Sequence, residues 1–184
     1  MTSIHHRLLA AFAIFFFTLP AGAQSLGPMQ SSDLNNDGRV ERFTLIDNGN
    51  GSADLQIENT DSGVLYAQNI VWVGGIGQTP SLSLAPNGSV KVHSQNDSIG
   101  RYRWSQVLTI AYRQGQYRVA GFTYSWRDTL NLPDNGTCDL NLLSGRGVVT
   151  IDNGPQRNIS TSMAARPITQ WSDDIAPPPE CGAS

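Results

Sequence analysis

Basic side chains are scarce in this 184-residue sequence, and only one of them, Lys91, is a lysine. The whole chain carries 12 Lys and Arg against 15 Asp and Glu, which gives a formal charge of −3 at pH 7. A nucleic-acid surface needs a concentrated basic footprint. We therefore expect no nucleic-acid partner.

Histidine is equally scarce, because His93 is the only one that follows the first 23 residues. A Ser-His-Asp site would have to rest on this imidazole, and no serine stands in a G-x-S-x-G context. Spacing alone leaves open whether Asp128, Asp134 and Asp139 converge as carboxylates for glycoside hydrolysis. The sequence therefore favours a non-catalytic protein and keeps catalysis as the alternative.

Long apolar runs are confined to the N-terminus. Arg7 precedes an apolar stretch from Leu8 to Leu19, and the A-x-A sequence at residues 21–23 stands before Gln24. This pattern predicts a cleaved secretory signal peptide over residues 1–23. No other segment approaches the length that a bilayer needs, so we expect no membrane span and a periplasmic or secreted protein. Cleavage would leave 11 basic against 15 acidic side chains.

Only two cysteines are present, Cys138 and Cys181. In an oxidising compartment such a pair most simply forms one disulfide. It would close a loop of about 43 residues and contribute about 3 to 4 kcal/mol by the loop-entropy estimate. Two cysteines so far apart, without matching histidines, do not make a zinc pattern. We expect the bond to tether a Pro-rich tail (residues 171–184) to a single domain (residues 24–170).

The body of the chain reads as β-structure throughout. Strand-like runs alternate with turn dipeptides, and helical periodicity is hard to find. The predicted strands lie near residues 42–47, 53–58, 64–73, 81–85, 89–94, 101–113, 116–126, 138–143, 147–151 and 157–163. The predicted turns are the Asn-Gly steps at 48–49, 50–51, 87–88, 135–136 and 153–154. The predicted fold is all-β: an antiparallel sandwich or an open curved sheet of hairpins, and not a closed propeller.

The strongest predicted hairpin spans residues 101–126, with its turn at Gln114-Gly115. Tyr117 and Val119 have one parity on the return strand, whereas the later aromatics have the other. A bulge near Ala120-Gly121 would bring both sets to the core. The opposite face would then carry an arginine group: Arg101, Arg103, Arg113 and Arg118. These arginines could bind an anion or glycan, or simply form a solvated face that discourages edge pairing.

The most informative motif is DLNNDGRVE at residues 33–41. It places oxygen-bearing side chains at loop positions 1, 3, 5 and 9, with Gly38 at the bend: Asp33, Asn35, Asp37 and Glu41. Ca²⁺ takes six to eight oxygen ligands with little geometric precision. The loop is not an EF-hand, because Thr44 occupies position 12 and a strand-like run follows. Asp, Asn and Gly could also simply build an exposed turn.

A D-x-N-x-D-G-x-x-E loop that runs into a strand resembles the calcium loops of FG-GAP and VCBS repeats, which build integrin-type propellers. The resemblance covers about nine loop residues and the strand that follows. It implies Ca²⁺ ligands at Asp33, Asn35, Asp37 and Glu41 and at the backbone carbonyl of Arg39. A propeller stacks several such blades, whereas this sequence carries one loop.

The sequence predicts an exported calcium-binding β protein with a non-catalytic binding or structural role. A glycan or another envelope protein would be its partner, and Arg101, Arg103 and Arg113 are the candidate ligand-binding residues. The alternative is a carbohydrate-active enzyme, or an inhibitor of a cell-wall or glycan hydrolase. A cleft with converging carboxylates would favour the enzyme.

Overall fold

The computed structural model describes residues 24–75 and 77–183, and within them the regular structure is β-strand apart from two short 3-10 helices. The strands are β1 (Gln24–Ser32), β2 (Glu41–Asp47), β3 (Ser52–Thr60), β4 (Gly63–Trp72), β5 (Ser81–Leu84), β6 (Val90–Asn96), β7 (Tyr102–Arg113), β8 (Gln116–Asp128), β9 (Asn135–Asn141), β10 (Arg146–Ile151), β11 (Arg157–Ser160) and β12 (Arg166–Pro167). The 3-10 helices are Ile168–Gln170 and Pro179–Cys181. The all-β prediction is confirmed, whereas the predicted signal peptide lies outside the described residues.

The strands form two antiparallel sheets, and neither closes into a barrel or propeller. The small sheet has four strands in the order β1-β2-β3-β4. The large sheet runs β11-β10-β9-β8-β7-β6-β5, with β12 paired to β8 as an eighth strand. Consecutive strands are neighbours almost everywhere, because short turns join antiparallel partners.

One apolar cluster holds the two sheets together. In β2, Phe43 and Leu45 are fully buried, whereas Arg42 before them is exposed and Thr44 between them is half-buried, as period-two alternation requires. Side chains of the large sheet, such as Leu108 and Phe122, belong to the same cluster. Full burial of each large apolar side chain contributes about 1.5 to 3 kcal/mol. The core therefore lies between the sheets, and the opposite face of the large sheet points outward.

The β7–β8 hairpin sets which side chains face outward. Gln114 and Gly115 both have positive φ, 54° and 73°, as a tight hairpin turn requires. The register passes from Ile110 opposite Val119 to Thr109 opposite Gly121, so Ala120 is the extra residue of a bulge. This confirms the predicted bulge. It is the reason that aromatic residues of both parities in β8 point toward the core.

Asn135-Gly136 is not a turn, which corrects the sequence prediction. It forms the start of β9, where Gly136 pairs with Trp126. A Cβ on Gly136 would lie 2.6 Å from the Trp126 ring and from the Thr150 carbonyl oxygen. Glycine is therefore required there for the close approach of the indole, and not for a bend.

The C-terminal segment packs across both sheets. Cys138 of β9 and Cys181 form the predicted disulfide, and both are fully buried. Trp171 packs on Phe122, with ring centroids 5.9 Å apart, and the Asp173 carboxylate accepts a 2.6 Å hydrogen bond from Ser52 Oγ of β3. The segment is thus held at several points besides the disulfide. Among residues 24–75 and 77–183, no helix combines the length and apolar character needed to cross a membrane.

Candidate functional site

The loop between β1 and β2 folds around the oxygen atoms that the sequence singles out. The Asp37 N–H donates to Asp33 Oδ1 at 3.1 Å and to Asn35 Oδ1 at 2.9 Å, and the Gly38 N–H donates to Asp33 Oδ2 at 3.1 Å. Gly38 has φ of 85°, a conformation that side chains disfavour. These bonds turn the side chains of Asp33 and Asn35 toward the inside of the loop.

Glu41 closes the same loop from its far end. Its side chain is 0% exposed, although it stands at the first position of β2. Its Oε2 accepts a 2.8 Å hydrogen bond from the Leu34 N–H, and its Oε1 accepts a 2.6 Å bond from the Tyr117 hydroxyl of β8. Burial, and then the hydrogen bond to Glu41, raise the pKa of the Tyr117 phenol. Glu41 therefore joins the start of the loop to the large sheet.

Among the residues that the structure describes, none pairs a positive charge with the Glu41 carboxylate. Within the described part of the chain no salt bridge includes Glu41, and both of its hydrogen-bond donors are neutral. Taking an ionised carboxylate out of water is costly unless a cation compensates it. The site therefore carries negative charge that the described residues leave unbalanced.

Asp37, in contrast, is paired with Arg39, and its Oδ2 also accepts a hydrogen bond from Asn35 Nδ2. Nη2 and Nε of Arg39 donate to Asp37 Oδ2 at 2.9 and 3.2 Å, and Nη2 also donates to Asp61 Oδ1 at 2.8 Å. The hydrogen bond from the Arg39 N–H lowers the pKa of Asp37. Within residues 24–75 and 77–183, no three or more His, Cys, Asp or Glu side chains are grouped to hold a metal ion. Asp33, Asn35 and Glu41 thus belong to one loop, and Asp37 is held by Arg39.

The three arginines expected to form one ligand surface lie apart. Arg101 is engaged with the buried Asp128 carboxylate: its Nε donates to Oδ1 at 2.6 Å, and its Nη2 lies 2.5 Å from Oδ2 as an ion pair. Arg103 lines a depression near the start of β7, whereas Arg113, ten residues further along at the end of the strand, lines a different one. At about 3.3 Å per residue these two lie roughly 33 Å apart. Any ligand site must therefore be smaller than the predicted surface.

The acidic residues considered for catalysis have separate roles. Asp128 is 2% exposed and pairs with Arg101, whose hydrogen bond is the main reason that the pKa of Asp128 falls to about 2. Asp134 Oδ1 accepts the Trp126 indole N–H at 3.3 Å. Asp139 lies on the outward face and accepts a 3.0 Å hydrogen bond from Thr123 Oγ1. Asp128 is thus a buried structural carboxylate, Asp134 serves a buried indole, and Asp139 belongs to an open sheet surface.

His93 has a serine partner on the outward face of the large sheet. Ser83 Oγ lies 2.7 Å from His93 Nε2, across the β5–β6 pair. Burial, and then the charge of Lys91, lower the pKa of His93. Sequence reasoning did not anticipate this contact. Among the described hydrogen bonds and salt bridges, none joins a carboxylate to this pair, so it lacks the orienting acid of a triad.

Sequence reasoning also missed Tyr117 as a partner of Glu41 and Arg127 as a neighbour of Arg103. The first contact joins residues 76 positions apart, so no local pattern announces it. The second could have been found, because the predicted turn at Gln114-Gly115 and a one-residue bulge together place Arg127 opposite Arg103.

Comparison of the chain with protein-family models, with curated proteins and with solved structures found no match. The likeness of the 33–41 loop to FG-GAP and VCBS repeats accordingly stays a prediction.

Proposed function

We propose that this chain is an exported calcium-binding β-sandwich protein with a non-catalytic binding or structural role. The observation that carries the proposal is the fully buried Glu41 carboxylate at the edge of the 33–41 loop, which has only neutral hydrogen-bond donors. A divalent cation in the loop would supply the charge that this carboxylate lacks.

The donor set suits calcium. Carboxylate and amide oxygens are hard ligands, and each carboxylate oxygen has two lone pairs, so a hydrogen-bonded oxygen can still bind an ion. Asp33 and Asn35 come from the loop itself, and Glu41 comes from the first residue of β2. The Arg39 carbonyl would be a further ligand, as in the resembling families. The Asp37 carboxylate would release Arg39 and bind the ion instead.

Calcium in this position would stabilise the whole fold, because Glu41 is bonded to Tyr117 of the other sheet. A ligand that binds only the folded state adds RT ln(1 + [L]/Kd), which is about 2.7 kcal/mol at a hundredfold excess over Kd. The binding or structural role then depends on a scaffold whose stability follows the calcium concentration outside the cell.

Thermal melts in calcium and in chelator test the proposal on the wild type, Asp37→Ala and Asp61→Ala. Both aspartates pair with Arg39, but only Asp37 occupies a loop ligand position. We expect calcium to raise the melting temperature of the wild type and of Asp61→Ala, and to raise that of Asp37→Ala much less. Equal wild-type melting temperatures in calcium and in chelator would refute the proposal.

A further inference from the structure

Two arginines stand side by side on the outward face of the large sheet. The β7–β8 register places Arg103 directly opposite Arg127, and the next outward pair is Ser105 opposite Ser125. These four residues line one depression of about 260 Å³, together with Gln95 and Asp97 at its rim. The depression is therefore built from regular strands, which hold side chains in fixed positions better than loops do.

The arginine pair is only partly neutralised. Like charges directly opposite one another across a strand pair are destabilising. Asp97 forms a salt bridge with Arg127 at the exposed rim. Arg103 Nη1 is buried and makes no hydrogen bond within the described part of the chain. The depression thus combines an excess of positive charge with a donor that has no acceptor.

Hydroxyl and amide groups continue from the arginine pair across the sheet. The pairing registers align a row over β6 to β10 that consists of Gln95, Ser105, Ser125, Thr137 and Thr150. Ser125 Oγ and Thr137 Oγ1 lie 3.0 Å apart within this row. A second depression, of about 580 Å³, shares Ser125 and Arg127 with the first and extends to Thr150. One elongated polar surface results, with its positive charge at one end.

We infer that this surface binds an acidic oligosaccharide, with a sugar carboxylate held by Arg103 and Arg127 and neutral sugar hydroxyls along the row. Guanidinium groups are suited to a carboxylate because their planar forks donate two parallel hydrogen bonds. Hydroxyl and amide side chains both donate and accept, as sugar hydroxyls require. The inference specifies the ligand of the proposed binding role and does not depend on the calcium loop.

Titration calorimetry with oligogalacturonate, in chelator-containing buffer, tests the inference on the wild type, Arg103→Gln, Arg127→Gln and Arg113→Gln. Arg113 is the matched control, because it is exposed on the same strand but lines a different depression. Loss of one charge-assisted contact should raise the Kd for oligogalacturonate about tenfold in Arg103→Gln and in Arg127→Gln. Arg113→Gln should bind as the wild type does.

Asp97→Asn provides a test in the opposite direction. Removing the carboxylate that pairs with Arg127 should strengthen oligogalacturonate binding severalfold. Inorganic sulfate and a neutral oligosaccharide serve as further probes. Weak binding of both would show that the charge and the sugar hydroxyls are needed together, whereas sulfate binding as tight as that of oligogalacturonate would reduce the site to a simple anion site and overturn the inference.

The inference is also overturned if Arg103→Gln and Arg127→Gln bind as tightly as the wild type, or if Arg113→Gln weakens binding as much as they do. The second result would indicate diffuse electrostatic attraction. Thermal melts of each variant in calcium and in chelator serve as the folding control. A normal calcium response without saccharide binding would refute this inference alone, and saccharide binding without a calcium response would refute only the calcium proposal.

Discussion

Two carboxylates are buried at opposite ends of this sandwich, and they differ in what compensates their charge. Asp128 at the end of β8 is 2% exposed and forms an ion pair with Arg101, whose Nε donates to its Oδ1. Glu41 at the start of β2 is 0% exposed, and its partners are the Tyr117 hydroxyl and the Leu34 N–H. One end of the molecule carries its own cation, and the other has only neutral donors.

This difference in charge compensation indicates where an external ion is expected. The buried Asp128 carboxylate has its counter-charge in Arg101, so the chain supplies the cation at that site itself. The carboxylate with only neutral donors lies beside Asp33 and Asn35, whose oxygens are turned into a loop. This contrast supports a structural role for the Asp128 end and favours the Glu41 end for the proposed calcium site.

The largest expected effect comes from Glu41→Gln, which removes the buried charge at the proposed calcium end. Glutamine keeps an oxygen for the Tyr117 hydroxyl but removes the charge that attracts the ion. We expect it to lose most of the calcium stabilisation, up to about 2.7 kcal/mol at a hundredfold excess over Kd. Thermal melts in calcium and in chelator measure this loss. The difference in melting temperature between the variant and the wild type should be smallest in chelator.

Glu58→Gln is the matched control for this comparison, because Glu58 lies on the neighbouring strand and pairs with Arg42 outside the loop. Its calcium response should equal that of the wild type. An unchanged response in Glu41→Gln would contradict the assignment of the two ends.

A smaller effect is expected from Tyr117→Phe, which removes one of the two neutral donors of Glu41 and leaves the aromatic ring in place. A hydrogen bond to a charged group contributes about 1.5 to 3 kcal/mol. Denaturant unfolding should show a loss near the lower end of this range in chelator. Because bound calcium would then be the main compensation for Glu41, we expect a smaller loss in calcium. Equal losses in both buffers would show that Tyr117 and the ion act independently.

The smallest effect is expected at the Asp128 end and appears only in acid. Arg101 and backbone N–H groups lower the pKa of Asp128 to about 2, below its value in the unfolded chain. The stabilisation is therefore complete above about pH 4 and is lost as the pH falls toward about 2. Arg101→Gln should make the stability less dependent on pH across this interval. Arg127→Gln, which breaks an exposed pair, should keep the wild-type profile in melts between pH 2 and pH 7.

Much of the fold could be predicted from the sequence, because its signals are local. Alternation in the 101–126 hairpin and the change of parity in the return strand were enough to place the bulge at Ala120. The first strand, Gln24–Ser32, was missed. It carries Gly27 and Pro28, and neither of its faces is fully buried, so it shows no period-two pattern. The start of β9 was missed because Asn135-Gly136 resembles a turn.

The sequence predicts only those parts of the candidate sites that lie within one segment of the chain. The loop ligands Asp33 and Asn35 could be proposed from spacing, because the loop closes on itself. The burial of Glu41 could not, since it depends on Tyr117, which another sheet supplies. The predicted arginine surface is too large. Parity predicts which face of a strand a side chain lies on, but it does not predict the pairing of Arg101 with Asp128.

The bulge at Ala120 also determines how tolerant this hairpin is of changes in length. With that extra residue, Phe122 and Trp126 point inward while Arg127 points outward beside Arg103. Deleting one residue between the turn and Gly121 would exchange the two faces of everything that follows in β8. The core aromatics would then meet water, and Arg127 would enter the core. The single extra alanine thus sets the register of the rest of the strand. It determines both which side chains form the hydrophobic interior and which form the candidate saccharide surface.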